Sequence, residues 1–142
     1  MQLRLKPHIK KQPNYWKYIP WLKRCQGLTV VTNIYLQPDI YSDLQSQNPK
    51  PENIAVLVHE ETHVKRIKEQ GAILFGLKYL FNGQYRFNEE LIATKASFTV
   101  LKKYKIKVNL LKKAWVLSNW LYLWPVNYSY ALKEIKKAWK ES

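Results

Sequence analysis

The apolar and polar positions of this chain group into one β-like run followed by a series of helical stretches. Gly27 opens the segment Leu28-Thr29-Val30-Val31-Thr32-Asn33-Ile34-Tyr35-Leu36, whose β-branched residues predict a strand or a tight pair of strands, stopped by Gln37-Pro38-Asp39. Residues 39–49 include Ser42, Asp43, Ser46, Gln47 and Asn48 and read mainly as a loop holding at most a short helical turn. A long helix is predicted from Pro51 to Gln70: Pro51 suits a first turn, Glu52 places a carboxylate early, and Gly71 supplies the stop after Lys65, Arg66 and Lys68. Residues 72–81 are apolar and aromatic and predict a short helix or an irregular connection, closed by an Asn82-Gly83 turn. A further helix is expected to start near Phe87 or Asn88, with Asn88 as its N-cap, and to run to about Lys103. Residues 105–127 supply another helix and 128–140 a last one, with Leu132, Ile135 and Trp139 on its apolar face. Met1 to Pro20 mixes lysine, proline and aromatic residues without a period and reads as a surface extension. The expected fold is α+β, one domain over 1–142: a surface extension (1–24), a core (25–104) with a small N-terminal sheet or hairpin, and an aromatic C-terminal helical part (105–142).

Composition adds limits. A chain of 142 residues is long enough for one real core but not for two. With 46% hydrophobic and 14% aromatic residues, it is too apolar to stay disordered. The net charge of +14 implies attraction to an anionic partner or a membrane surface. No arginine-rich block, phosphate cradle or recognition helix accompanies that charge, so no specific nucleic-acid motif is present. Ala114 to Leu132 is the longest aromatic and aliphatic stretch, but Asn119, Pro125 and Asn127 make it a poor membrane span. It reads as a packed helix followed by a break, with an interfacial anchor formed by its tryptophans and tyrosines beside lysines as the alternative. Met1 to Lys17 lacks the apolar region of a secretory signal, which makes a cytoplasmic location the default. A single cysteine, Cys25, excludes an intramolecular disulfide and a Cys-rich zinc ribbon, and reads as a small hydrophobe.

The candidate chemistry lies in His59-Glu60-Glu61-Thr62-His63, an H-E-x-x-H pentapeptide inside the long predicted helix. Positions i and i+4 stand one above the other on a helix, so both imidazoles converge on one point, as two ligands of a zinc ion must. Glu60, next to the first ligand, can take a proton from a water activated by the ion and return it to a leaving amine. That is peptide-bond hydrolysis. A catalytic zinc needs a third protein ligand. His8 lies in the irregular extension and is a poor candidate. In the extended motif H-E-x-x-H-x-x-G-x-x-H, a glycine turns the chain to deliver a third ligand; here Arg66 stands at the glycine position and Glu69 at the last one, so a continuing helix carries Glu69 away from the histidine face. The helix of residues 88–101 offers Glu90 or Glu89. On a helical wheel Glu90 borders the apolar side, in a stripe with the small residues Ala93, Thr94 and Ser97, whereas Glu89 stands nearly opposite. Glu90 is the favoured third ligand and Glu89 the alternative.

These residues resemble the gluzincin metallopeptidases, and among them the minimal single-domain minigluzincins and similar small metallopeptidases of phage and bacterial genomes. The resemblance covers residues 27–104: the strand before Pro38, the helix Val56-Leu57-Val58-His59-Glu60-Glu61-Thr62-His63-Val64, and the glutamate helix introduced by Tyr85-Arg86-Phe87. It implies a zincin-like fold, one zinc ion per chain, a peptide or protein substrate, and Glu60 as general base. It also implies that the strand before the active-site helix is an edge on which substrate lies extended, with Thr29, Val30, Val31, Thr32, Asn33 and Ile34 as binding residues. Relatives carry an acidic residue shortly after the ligand glutamate, where this chain has Ala93 or Thr94, so a partner for the ligand histidine is missing from the pattern. The competing expectation is a non-enzymatic module in which zinc only stabilises the domain while a basic, aromatic surface holds an anionic partner. A third is a latent enzyme whose cleft is covered by residues 1–24 or by the aromatic tail.

Overall fold

The computed structural model describes residues 5–142 and has an α+β fold. Three short strands, β1 (Ile9–Lys11), β2 (Gly27–Val30) and β3 (Asn33–Leu36), form a sheet in the order β1-β3-β2. The β-branched run is thus a hairpin, with Thr29 opposite Ile34 and Val30 opposite Asn33. Its two-residue turn, Val31-Thr32, holds Val31 at φ 55°, a left-handed conformation that a β-branched residue adopts only with strain. On the far side of β3, β1 pairs in parallel, Ile9 opposite Ile34. This corrects the reading of residues 1–24 as a surface extension: Ile9 is buried, and Ile34 N donates to the His8 carbonyl. Residues 1–4 of that segment lie outside the described residues.

Helices α1 (Pro20–Arg24) and α2 (Pro38–Leu44) flank the hairpin, and each begins on a proline, whose fixed φ suits a first turn. The next helix, α3 (Pro51–Gln70), ends on Gly71 at φ 85°, and α4 (Ala72–Phe81) follows directly. After it, α5 runs from Gly83 to Lys103. Its start falls several residues before the expected Asn88, because Asn82 Oδ1 accepts the Tyr85 N–H at 2.9 Å and caps the helix there. The same device, an asparagine accepting an N–H three residues on, opens α6 (Leu110–Ser118) at Asn109 and α7 (Tyr128–Glu141) at Asn127. Between them residues 120–122 form a 3-10 turn.

Among the described residues the buried apolar side chains group into two clusters. One unites the sheet, α2 and α3 through Ile9, Ile34, Leu36, Leu44, Leu57 and Val64. The other unites α5, α6 and α7 through Phe87, Phe98, Leu117, Ala131 and Ile135. They meet where α3 packs along α5, the most extensive contact between any two elements. Small residues line this seam. Ala55 and Ala93 are buried, and Ser97 Oγ donates to the Ala55 carbonyl at 3.0 Å, so the two backbones approach closely.

Candidate metal centre

The seam between α3 and α5 carries the titratable side chains. Four residues apart on one face of α3, His59 and His63 present their Nε2 atoms 3.2 Å from each other. From α5, Glu90 completes a triangle: its Oε2 lies 3.2 Å from His59 Nε2 and its Oε1 3.2 Å from His63 Nε2. Among the described residues these three form a group able to hold a metal ion. Their chemistry fits. Ligands at zinc distances of 2.0–2.1 Å in tetrahedral arrangement stand about 3.3 Å apart, close to the separations observed. Two imidazoles and a carboxylate are also a donor set that this ion takes.

Glu90 is buried, 3% exposed, which by itself would favour its neutral form. That penalty is outweighed by the charge of His63 and by hydrogen bonds from His59 and His63, which hold its pKa well below the usual carboxylate range. Burial likewise works against a charged His63, but Glu90, with smaller help from Glu60 and Glu89, raises its pKa to about 9. Among the described residues, the Nδ1 of His63 has no hydrogen-bonding partner, and neither has the buried hydroxyl of Thr94, one turn beyond Glu90.

Glu89 has a different partner. The Arg66 guanidinium grips it with two parallel bonds, Nε to Oε2 at 2.9 Å and NH2 to Oε1 at 2.8 Å, and Gln70 Nε2 adds a third at 3.2 Å. Burial opposes ionisation of Glu89, yet the Arg66 bonds dominate and lower its pKa. Glu89 is therefore committed to pinning α5 to the last turns of α3. The same Arg66 reaches Glu69 at 3.3 Å, and with α3 continuing to Gln70, Glu69 lies outside the histidine group.

Glu60 is buried beside the cluster, under β2. Thr29 Oγ1 donates to Glu60 Oε2 at 2.7 Å, and a Cβ added to Gly27 would lie 2.8 Å from Glu60 Cγ and 2.9 Å from its Oε1. Gly27 is thus a glycine because this carboxylate occupies the space that any side chain would need. The six residues expected to form an edge strand divide. Thr29 and Val30 lie on β2, which is an edge; Val31 and Thr32 make the turn; Asn33 and Ile34 belong to β3, the middle strand, with Ile34 fully buried. The assignment of Asn33 and Ile34 to an edge is corrected, because β1 occupies the outer side of β3. Ile34 N and the Leu36 carbonyl bond to residues 8 and 12, so antiparallel alternation turns the backbone of Gly27 and Thr29 outward, toward the open edge beside Glu60.

Several groups near the cluster left no mark in the sequence pattern. From α4, the half-buried Tyr79 donates its phenol O–H to Glu90 Oε1; its pKa is raised well above normal, by desolvation first and by Glu90 second. Tyr122 is likewise kept protonated, by burial and then by the charges of Glu90 and Glu60. Lys113 feels the same two carboxylates, which oppose the lowering of its pKa by burial. Cys25 is pushed up to about 11, by burial first and then by Glu60 and Glu90, and its Sγ donates to the Trp21 carbonyl, so it remains a neutral thiol. Trp21 Nε1 in turn donates to the Leu121 carbonyl at 3.0 Å, joining α1 to the turn that carries Tyr122. Tyr85 and Tyr128 are not part of the group: Tyr85 OH donates to Gln70, and Tyr128 is exposed at the start of α7. His8 contributes its backbone to the sheet and lies outside the cluster. Compared with known proteins, the chain matches no family model, no curated protein and no solved structure.

Two outcomes test this arrangement. Replacing Arg66 by alanine leaves the buried Glu89 short of its main partner and should cost about 2 kcal/mol in urea unfolding, a figure reduced for the partial exposure of Arg66; the Arg66→Ala, Glu89→Leu double variant should recover part of it. In zinc titrations, the unaltered chain should take up one ion, Glu90→Gln should weaken uptake at least about tenfold, and Glu89→Gln should leave it unchanged.

Proposed function

We propose that this chain is a zinc-dependent hydrolase of peptide or amide bonds, a small zincin-like metallopeptidase of the gluzincin type. The observation that carries the reading is the convergence of His59, His63 and Glu90 at mutual separations of 3.2 Å with the Glu60 carboxylate buried alongside. A zinc ion held by those three residues supplies Lewis acidity, lowering the pKa of water and polarising a carbonyl. The protein's own groups do the rest.

Glu60 takes a proton from the attacking water and passes it to the leaving nitrogen. Thr29 ties down Oε2, and Oε1 faces the side-chain-free Gly27, so the carboxylate is oriented with one oxygen left for proton transfer. The substrate strand, in this reading, adds to the open edge of β2, where the outward backbone groups of Gly27 and Thr29 lie next to Glu60. Tyr79 holds the Glu90 carboxylate in place by donating to Oε1, the oxygen that also faces His63 Nε2.

Digestion of a peptide library with and without chelator tests the activity directly, and chelator-insensitive cleavage or none at all would overturn it. Glu60→Gln should abolish turnover while zinc uptake and fold persist; a binding module that used zinc only for stability would keep its function in that variant. Gly27→Ala should displace the Glu60 side chain and lower kcat at least about tenfold with zinc uptake intact, since a misplacement of about 1 Å at a proton-transfer group costs that much or more.

A further inference from the structure

The helix α4 has a face that the metal centre does not use. Its sequence is Ala-Ile-Leu-Phe-Gly-Leu-Lys-Tyr-Leu-Phe, and its inward side consists of Phe75, which is buried, and Tyr79 one turn later, which reaches Glu90. At 100° per residue, Ile73, Leu74, Leu77, Leu80 and Phe81 fall on the opposite side. All five are exposed, Ile73 by 82% and Phe81 by 78%. A surface helix normally turns polar residues outward, and a contiguous apolar face of this kind marks a surface that something covers.

The patch extends beyond α4. The Arg86 guanidinium donates to the carbonyls of Tyr79 and Leu80 at the end of α4 and, through Nε, to the Tyr122 carbonyl at 2.8 Å. Gly83 packs so closely on Pro125 that a Cβ there would lie 3.0 Å from its carbonyl oxygen. These contacts fasten the turn after residue 122 to the same corner. In that turn Leu123 at φ 57° and Trp124 at φ 44° hold left-handed conformations, and Trp124 projects into solvent, 69% exposed.

Charge identifies the occupant. From Gln70 to Asn88, and again from Leu91 to Lys133, the chain contains no aspartate or glutamate, while Lys78 stands on α4 itself and lysines recur from Lys95 to Lys113, with none from Ala114 to Leu132. A second copy of the chain would bring +14 against +14. An anionic bilayer satisfies both properties at once: it accepts leucine, phenylalanine and tryptophan at the boundary of headgroup and acyl chain, and it attracts lysines there. No helix among the described residues is long and apolar enough to cross a membrane, so the attachment lies along the surface. We propose that the outer face of α4, together with Trp124, docks the protein on the surface of an anionic phospholipid bilayer.

Co-sedimentation of the full chain with vesicles tests this. The protein should partition onto vesicles of phosphatidylcholine mixed with phosphatidylglycerol and much less onto phosphatidylcholine alone. Leu77→Ser, Phe81→Ser and Trp124→Ser should each weaken that binding about tenfold, while Tyr18→Ser, an equally exposed aromatic position elsewhere, leaves it unchanged. All four positions are at the surface, so circular dichroism should report an intact fold. Binding that ignores the anionic lipid, or that all the α4 and Trp124 variants retain because lysines alone produce it, would overturn the proposal. So would a dimer in sedimentation velocity that those variants dissociate, since the face would then be covered by a second copy.

Discussion

The close approach of α3 and α5 is the constraint on which the rest of the structure depends. Each helix belongs to its own apolar cluster, α3 with the sheet and α5 with the C-terminal helices. The two clusters join through a strip of small side chains, Ala55 against Ala93 and Ser97. Larger residues there would separate the helices by more than a glutamate can span, and Glu90 would no longer reach His59 and His63. The same closeness removes water from Glu90 and makes its neighbours matter. A buried carboxylate needs compensating charge or hydrogen bonds, and here two imidazoles and the Tyr79 phenol surround it.

Two adjacent glutamates on α5 divide the work of that seam. Glu89 meets the planar fork of Arg66 and locks the helices in register near the end of α3. Glu90, 100° further round, enters the space between the histidines. The pairing accounts for Arg66 at a position where a glycine would have ended the helix: α3 continues for another turn and uses its arginine as a clamp. The helix α4 is also two-sided. Its inner residue Tyr79 touches Glu90, and its outer residues meet solvent with no polar group except Lys78.

The sequence disclosed most where local rules act alone. Pro51, Glu52 and Gly71 marked both ends of α3, and the i, i+4 spacing put His59 and His63 on one face, because helix geometry needs no partner to be read. Local rules misled where two signals competed. Asn82-Gly83 reads as a turn and Asn88 as a cap, but Asn82 is the residue that accepts an N–H, so α5 begins earlier. The irregular first twenty residues carry no period, yet Ile9 enters the core, because a three-residue strand is too short to show alternation. The run Thr29 to Ile34 could not disclose that β1 would cover the outer side of β3, which leaves only β2 as an edge.

What the sequence determined by itself was the helix that carries the histidines, the neighbouring Glu60, and the presence of a second helix with small residues beside a glutamate. These follow from spacing along one chain segment. The tertiary structure alone decided which groups surround them: Arg66 for Glu89, Thr29 and Gly27 for Glu60, Tyr79 for Glu90, with Tyr122, Lys113 and Cys25 within reach of the same charges. Such groups come from distant segments and share no period with the motif. Their positions are set by how two apolar clusters close on each other, and only packing in three dimensions fixes that.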